Sequence, residues 1–260
     1  MASDLTVPIC LAGTVLLVLF CTIACVTNSL LLIVLYKDPL KCFRKPIVVY
    51  ITALALLDLL SGSVTGPGVT YNYIMCVMGV DQSPVLSTST RIVAISAEFT
   101  ICTANFITLL LSVERLLAVA FPILYRRKAS VRRSVVCLCC VVLYTLSVSL
   151  ANLSSRWMNT SQHLHLNTTL PMVTLISVNV ALVAAVRRHN RNVQFLLENS
   201  ECSSSFKGRE SKLREKERSL AVTTLLIVTC FVASILPYTS FHFVMIYFPE
   251  YQEQDRKSVV

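Results

Sequence analysis

Residues 91–125 read RIVAISAEFTICTANFITLLLSVERLLAVAFPILY. After Arg91, the only charged residues in this stretch are Glu98, Glu114 and Arg115. About 20 predominantly apolar residues are enough to cross the hydrocarbon core of a bilayer as an α-helix. The stretch therefore predicts a membrane-spanning helix. Near its end a carboxylate and a guanidinium stand side by side, and a proline and a tyrosine follow.

Five other segments of the chain are similarly apolar. Only 14% of the 260 residues are charged and 55% are hydrophobic, too few charges for the surface of a soluble domain of this length. In lipid the backbone finds no water to pair with, so each span must be a helix. We predict an all-α fold, a multi-pass transmembrane helix bundle over residues 1–248 with a short tail over 249–260. The six predicted spans are 9–36, 46–78, 91–120, 134–152, 169–186 and 219–248.

The distribution of Lys and Arg predicts how the bundle is oriented. The connections between spans one and two, three and four, and five and six are rich in basic residues, which places them in the cytoplasm. Three Asn-x-Ser/Thr sequons lie on the opposite side, in the connection between spans four and five, and are predicted to be glycosylated: Asn152, Asn159 and Asn167. The N-terminus and the tail are then extracellular, and we expect the protein in the plasma membrane.

The net charge of +9 has an explanation that needs no nucleic acid. Most of the positive charge lies in the predicted cytoplasmic connections, where it faces anionic lipid headgroups. Most of the eleven cysteines lie within spans, where free cysteine behaves as a small apolar residue, and they indicate neither a disulfide framework nor a zinc site. No set of nucleophile, base and metal ligands is visible, so we expect no enzyme activity and no cofactor.

The end of the third span carries a recognisable signature. Glu114-Arg115-Leu116, followed by Pro122-x-x-Tyr125, resembles the cytoplasmic end of the third helix in rhodopsin-like G-protein-coupled receptors. That family has Asp/Glu-Arg-Tyr and then Pro-x-x-Tyr, so Leu116 is a departure. The resemblance implies an extracellular ligand and a heterotrimeric G protein as partners. It assigns G-protein coupling and switching to Glu114, Arg115, Pro122, Ile123 and Tyr125.

The predicted sixth span matches the family in part. Pro237 corresponds to the family's kink-forming proline, and Phe231 to its aromatic switch. Glu217, twenty residues before the proline, corresponds to the acid that holds the family's arginine, here Arg115. The alternative is that Glu217 belongs to an ordinary solvated charged helix. Ser234-Ile235-Leu236-Pro237 stands where the family has Cys-Trp-x-Pro, so the aromatic toggle below the ligand is missing.

Two polar residues lie in the middle of the first two spans, Asn28 and Asp58. A carboxylate in lipid is costly and must find a partner. The family has an asparagine and an aspartate at similar spacing, and its aspartate binds a sodium ion. The resemblance therefore implies a sodium site at Asp58 with Asn28 in support. The alternative is an acid that is hydrogen-bonded for packing alone.

A ligand pocket is expected in the outer half of the bundle. Ala97 corresponds to the position at which amine receptors of the family carry an aspartate, and Glu98 is one residue away, a rotation of about 100° on a helix. Tyr238 and His242 on span six could face Glu98, and Ile101 completes the predicted set. The alternative for Glu98 is a pairing within the bundle, for example with Arg91.

The resemblance covers roughly residues 20–248 and also has gaps. Six spans of a seven-helix architecture are present, and the family's seventh helix with its Asn-Pro-x-x-Tyr motif is not found. We therefore expect a truncated or non-signalling form of such a receptor. The alternative function is a six-helix membrane transporter or channel. Asp58 is the single mid-span acid, which disfavours transport because carriers often pair polar groups near the membrane midplane.

Overall fold

The computed structural model describes residues 2–37, 46–78, 84–154 and 165–198, together with five isolated positions of the predicted sixth span (226, 229, 233, 236 and 240). Every regular element in these residues is helical. The elements are α1 (Ala2–Lys37), α2 (Pro46–Leu60), a π-turn (Ser61–Thr65), α3 (Gly66–Val77), α4 (Pro84–Ala120), α5 (Pro122–Lys128), α6 (Val131–Ser154), a second π-turn (His165–Thr169) and α7 (Leu170–Glu198).

Five stretches of the described residues are long and apolar enough to cross a membrane. They agree with five of the six predicted spans and confirm a multi-pass helical bundle. The sixth, 219–248, lies outside the described residues apart from its five isolated positions. The π-turn joins α2 and α3 into one span. The five spans are Leu11–Lys37, Pro46–Met75, Thr88–Ala120, Val131–Ala151 and His165–Arg188.

The chain turns sharply between α4 and α6. Phe121 leaves the helical conformation (φ −134°, ψ 63°), and Pro122 begins α5, as a proline at the first position of a helix favours. After α5, the backbone N–H groups of Arg133 and Ser134 donate to the carbonyl of Ser130 at 3.0 and 3.2 Å and start α6. These two breaks place α5 directly beside the end of α4.

The long helix α4 lies at the centre of the bundle and packs against α2, α6 and α7. Its Ile107 and Leu111 are buried together with Ile47, Val48 and Tyr50 of α2. Lipid tails are as apolar as these side chains, so close van der Waals packing, rather than escape from water, holds helices together in a membrane.

Polar side chains connect α4 to its neighbours. The hydroxyls of Thr103 and Thr145 share a hydrogen bond of 2.8 Å between α4 and α6. The amide of Asn179 on α7 donates to the Ser112 hydroxyl at 3.4 Å. Such bonds are worth about 0.6 kcal/mol each in membrane proteins. They fix the rotation of α4 because they can form only when the paired residues face each other.

The helix α1 packs against glycines of the second span. Gly62 in the π-turn and Gly66 at the start of α3 face Cys25 and Cys21, and a Cβ atom on Gly62 would lie 2.8 Å from the Cys25 sulfur. A Cβ on Gly66 would collide with Cys21. This Gly-x-x-x-Gly spacing puts both glycines on one face and lets the helices approach closely. It was not among our sequence predictions.

Candidate functional site

The predicted functional residues of the third span lie at the basic end of the bundle, which we define as the end that carries Lys37, Arg127–Arg133 and Arg187–Arg191. A cavity of about 260 Å³ opens there between α2, α4, α5 and α6. We call it the basic-end cavity. Its lining includes Tyr50, Glu114, Tyr125, Lys128, Arg133 and Ser134.

Glu114 and Tyr125 are joined across the turn between α4 and α5. The Tyr125 hydroxyl donates a hydrogen bond of 2.8 Å to Oε1 of Glu114. Burial, and then this bond to a carboxylate, raise the pKa of Tyr125 above its ordinary value. The phenol thus stays protonated and remains a donor at any physiological pH. The structure therefore brings together two residues that the signature placed eleven positions apart.

Arg115 is half-buried beside this pair. Its Nε atom is buried and has no hydrogen-bond partner within the part of the chain that the structure describes. A buried donor without a partner is rare in folded proteins and calls for an explanation. Glu217, the predicted partner of Arg115, lies outside the described residues, as do Phe231 and Pro237. The proposed pair of Arg115 and Glu217 stays a prediction.

Pro122 and Ile123 occupy the start of α5. Pro122 is its first residue, so the new helix begins at this proline. Ile123 is 79% exposed, the most of any described large apolar residue except Tyr36. An isoleucine held outward on a short, proline-started helix is available for contact with a partner at the basic end.

Two functional candidates at this end were missed by the sequence analysis. Tyr50 and Ser134 are each only 3% exposed, and their hydroxyls are hydrogen-bonded to each other between α2 and α6. Both line the basic-end cavity. Their common signal is a hydroxyl in the first turn or two of a span that begins at the basic end, which the sequence analysis did not use.

A second cavity, of about 730 Å³, lies along α7 near the same end. It is lined by Val180, Val183 and Ala184, and by the three arginines Arg187, Arg188 and Arg191. The sequence analysis used these arginines only to orient the chain. The structure shows that they share a surface with an apolar strip of the same helix.

Asn28 and Asp58 also come together. The Asn28 amide donates to the carbonyl of Ala24 at 2.9 Å and to the Asp58 carboxylate. The Asp58 side chain is otherwise exposed on α2. In the described residues no cluster of three or more His, Cys, Asp or Glu side chains is suited to hold a metal ion. The predicted partnership is seen, and its role in sodium binding stays a prediction.

The predicted ligand pocket is described on one side only. Ala97, Glu98 and Ile101 are half-buried on α4, and Ala97 and Ile101 share a face at a spacing of four residues. Tyr238 and His242 lie outside the described residues. The described residues thus supply one wall of the predicted pocket.

The three sequons differ in placement. Asn167 is 1% exposed, lies inside the fifth candidate span, and accepts a 2.8 Å hydrogen bond from the Tyr144 hydroxyl. In this placement the Asn167 side chain is enclosed by the bundle, and its glycosylation stays a prediction. Asn152 lies in α6 with its side chain outside the description, and Asn159 is outside the described residues. Their glycosylation stays a prediction.

A comparison with known protein families finds a match over most of the chain. The family model described as 7 transmembrane receptor (rhodopsin family) matches residues 27–260. The matched region begins one residue before Asn28 and contains every residue assigned above to switching, sodium binding or the ligand pocket. No curated protein matches the chain.

Proposed function

Since the chain belongs to the rhodopsin family of seven-transmembrane receptors, we propose that it is a G-protein-coupled receptor of the plasma membrane, with its N-terminus outside the cell. It binds an extracellular ligand and transmits the signal to a heterotrimeric G protein at the basic end. The observation that carries this proposal is the arrangement around Arg115. A half-buried guanidinium has a free buried donor beside a carboxylate that is already bonded to Tyr125.

This arrangement suits a switch. Because Tyr125 occupies one oxygen of Glu114, the carboxylate is held on the α5 side, and Arg115 keeps a donor for a second partner. An Arg–carboxylate pair is strong and directional, yet it can exchange partners when helices move. Glu217 is the proposed partner in the inactive state and the G protein the partner in the active state. A ligand shifts this equilibrium only if it binds the active state more tightly.

The exposed Ile123 is the proposed apolar contact with the G protein. Pro122 and the Glu114–Tyr125 bond fix α5 at both ends of its first turn, so the isoleucine is presented in one orientation. A preorganised contact loses less conformational freedom on binding than a flexible one.

Asp58 with Asn28 is the proposed site of an allosteric sodium ion. Oxygen ligands suit hard cations, and the carboxylate supplies charge while the amide of Asn28 orients it. A transporter or channel remains the second candidate from sequence, but the matching family is a receptor family, and it is not an enzyme family either.

The test is nucleotide exchange on purified G protein. The full chain is placed in lipid nanodiscs with a heterotrimeric G protein, and binding of a non-hydrolysable GTP analogue is followed against empty nanodiscs. We expect the chain to raise the basal exchange rate and Arg115→Ala to abolish the increase. The matched control is Arg127→Ala, which removes an exposed arginine of the same end and should leave the rate unchanged.

The proposed pair of Arg115 and Glu217 is tested in the same assay. Glu217→Ala should raise basal exchange because Arg115 loses its inactive-state partner, whereas Glu210→Ala, an acid of the same charged run, should not. If no G-protein class responds to the chain, or to the chain extended by the seventh helix of a related receptor, the proposed function is wrong. If Glu210→Ala acts like Glu217→Ala, the charge of the connection matters and the specific pair does not.

A further inference from the structure

We propose that the basic-end cavity binds the phosphate of an anionic phospholipid from the leaflet that the basic end faces. This inference concerns a lipid site beside the switch, and it does not depend on a ligand or on a G protein. It starts from two cations and two hydroxyls that converge on one cavity at the boundary between lipid and water.

The cations come from the turn between α5 and α6. Lys128 is the last residue of α5, and Arg133 lies in the first turn of α6. Nη1 of Arg133 donates a 2.8 Å hydrogen bond to the carbonyl oxygen of Lys128, so the two residues are held at one rim of the cavity. Both side chains are exposed, and neither has a carboxylate partner within 4 Å among the described residues.

Among the described residues that line the cavity, Glu114 is the one with a carboxylate, and it already accepts a hydrogen bond. Its Oε1 atom accepts the Tyr125 hydroxyl, and it is the direct neighbour of Arg115. Two cations against one engaged carboxylate leave the cavity attractive to an anion. The N-terminus of α6, a helix of 24 residues, adds positive partial charge on the same side.

The floor of the cavity is polar and rigid. The hydroxyls of Tyr50 and Ser134 are bonded to each other and almost fully buried, so they stay in place when the cavity is filled. One hydroxyl of the pair donates to the other, so the pair keeps one O–H that can donate to a phosphate oxygen.

The rest of the lining indicates a lipid rather than a free anion. Leu117, Phe121 and Leu124 line the cavity and are 40%, 57% and 51% exposed. Apolar side chains at this depth suit the glycerol and the upper acyl chain of a phospholipid. At about 260 Å³ the cavity is smaller than the roughly 300–1,000 Å³ of most small-molecule sites, which fits a headgroup phosphate whose chains stay in the bilayer.

The experiment measures lipid binding by the full chain purified in a neutral detergent. The probe is a short-chain fluorescent phosphatidylserine, and binding is read by fluorescence anisotropy. We expect unlabelled phosphatidylserine to displace the probe, and phosphatidylcholine and inorganic phosphate to do so only at much higher concentration. The double variant Lys128→Gln with Arg133→Gln should raise Kd about 10-fold or more, since it removes the hydrogen bonds that two charged groups would donate to the phosphate.

The matched control is Arg127→Gln with Arg132→Gln. It removes the same charge from neighbouring positions that are exposed and outside the cavity lining. We expect a change in Kd of less than about 3-fold, because exposed charges that do not touch the phosphate are largely screened by salt. An equal loss in both double variants would reduce the effect to general surface charge and overturn the site. No loss in the Lys128/Arg133 variant overturns it as well, and displacement by inorganic phosphate as strong as by the lipid overturns the lipid as the occupant.

Discussion

Glu114 and Asp58, two of the three described carboxylates inside the apolar spans, have different surroundings. Glu114 is half-buried, with a phenol bonded to it and a guanidinium on the next residue. Asp58 is exposed on α2 and receives the neutral amide of Asn28. A charge in a membrane protein needs a partner, and these two find partners of different strength. Glu114 is therefore fixed to the α4–α5 turn by a hydroxyl, whereas the described partner of Asp58 is one neutral amide.

The largest loss of stability should follow removal of the Glu114 carboxylate, which has the stronger hydrogen bond. Glu114→Ala deletes the acceptor of the Tyr125 hydroxyl and leaves Arg115 without its neighbouring carboxylate. Hydrogen bonds to charged groups contribute about 1.5–3 kcal/mol. For a chain of this size we expect the thermal unfolding midpoint in detergent to fall by about 6 °C.

Glu114→Gln is the control for that variant. The amide oxygen can still accept the Tyr125 hydroxyl, so we expect less than half of the loss. If the unfolding midpoint of Glu114→Gln falls as far as that of Glu114→Ala, then the charge beside Arg115, and not the bond to Tyr125, stabilises the turn.

The hydroxyl side of the same bond gives the next effect. Tyr125→Phe removes a donor from a carboxylate, and Tyr144→Phe removes a donor from the neutral amide oxygen of Asn167, both at 2.8 Å. Neutral hydrogen bonds contribute about 0.5–1.5 kcal/mol, less than charged ones. We expect midpoints lower by about 4 °C and about 2 °C respectively. The reverse order would show that the carboxylate is not the stronger acceptor here.

Replacing Asp58 with a neutral residue should lower the stability of the protein only slightly. Asp58→Asn removes a charge that has one neutral partner and keeps the shape of the side chain, so we expect the midpoint in sodium-free buffer to change by less than about 2 °C. In the parent chain, replacing choline chloride with sodium chloride at equal ionic strength should raise the midpoint, and in Asp58→Asn it should not. A sodium effect of the same size in both would contradict a cation site at Asp58.

The smallest effect concerns pH. Because the pKa of Tyr125 is raised above the value of about 10 for an unfolded chain, its contribution to stability is fully present below about pH 10 and is lost as the pH rises through the higher folded value. The phenolate absorbance of the parent and of Tyr125→Phe should therefore coincide up to about pH 10. One extra phenolate in the parent near pH 10 would contradict the bond to Glu114.

Local patterns in the sequence were enough for much of this molecule. Apolar length predicted the five described spans, including the end of the third span at residue 120. The pairing of Asn28 with Asp58 followed from the cost of a charge in lipid together with the family spacing. In each case the physical cause acts within one element or is a single strong constraint.

Contacts between distant elements could not be predicted in the same way. Tyr50 and Ser134 meet only because α2 and α6 pack side by side. Asn167 was read as a surface sequon because the fifth span was predicted to begin at 169, whereas the structure begins it at His165. The polar residues of that first turn lower its hydropathy, but Asn167 is satisfied inside the bundle by Tyr144. A hydropathy average treats a polar side chain as unfavourable in a span even when its hydrogen-bond partner lies on another helix.

The contact of Gly66 with Cys21 also has a consequence for how this sequence can vary over time. A Cβ atom at position 66 would collide with the Cys21 sulfur, so any other residue there requires the Cys21 side chain to move. The two side chains share one space, however, so a smaller residue at either position makes room for a larger one at the other. A lineage that loses the glycine must reduce the side chain at position 21 in the same period, and the exchange of Cys21→Gly with Gly66→Ala would leave α1 where it is. Positions 21 and 66 should therefore change together among descendants of this gene, although 45 residues separate them.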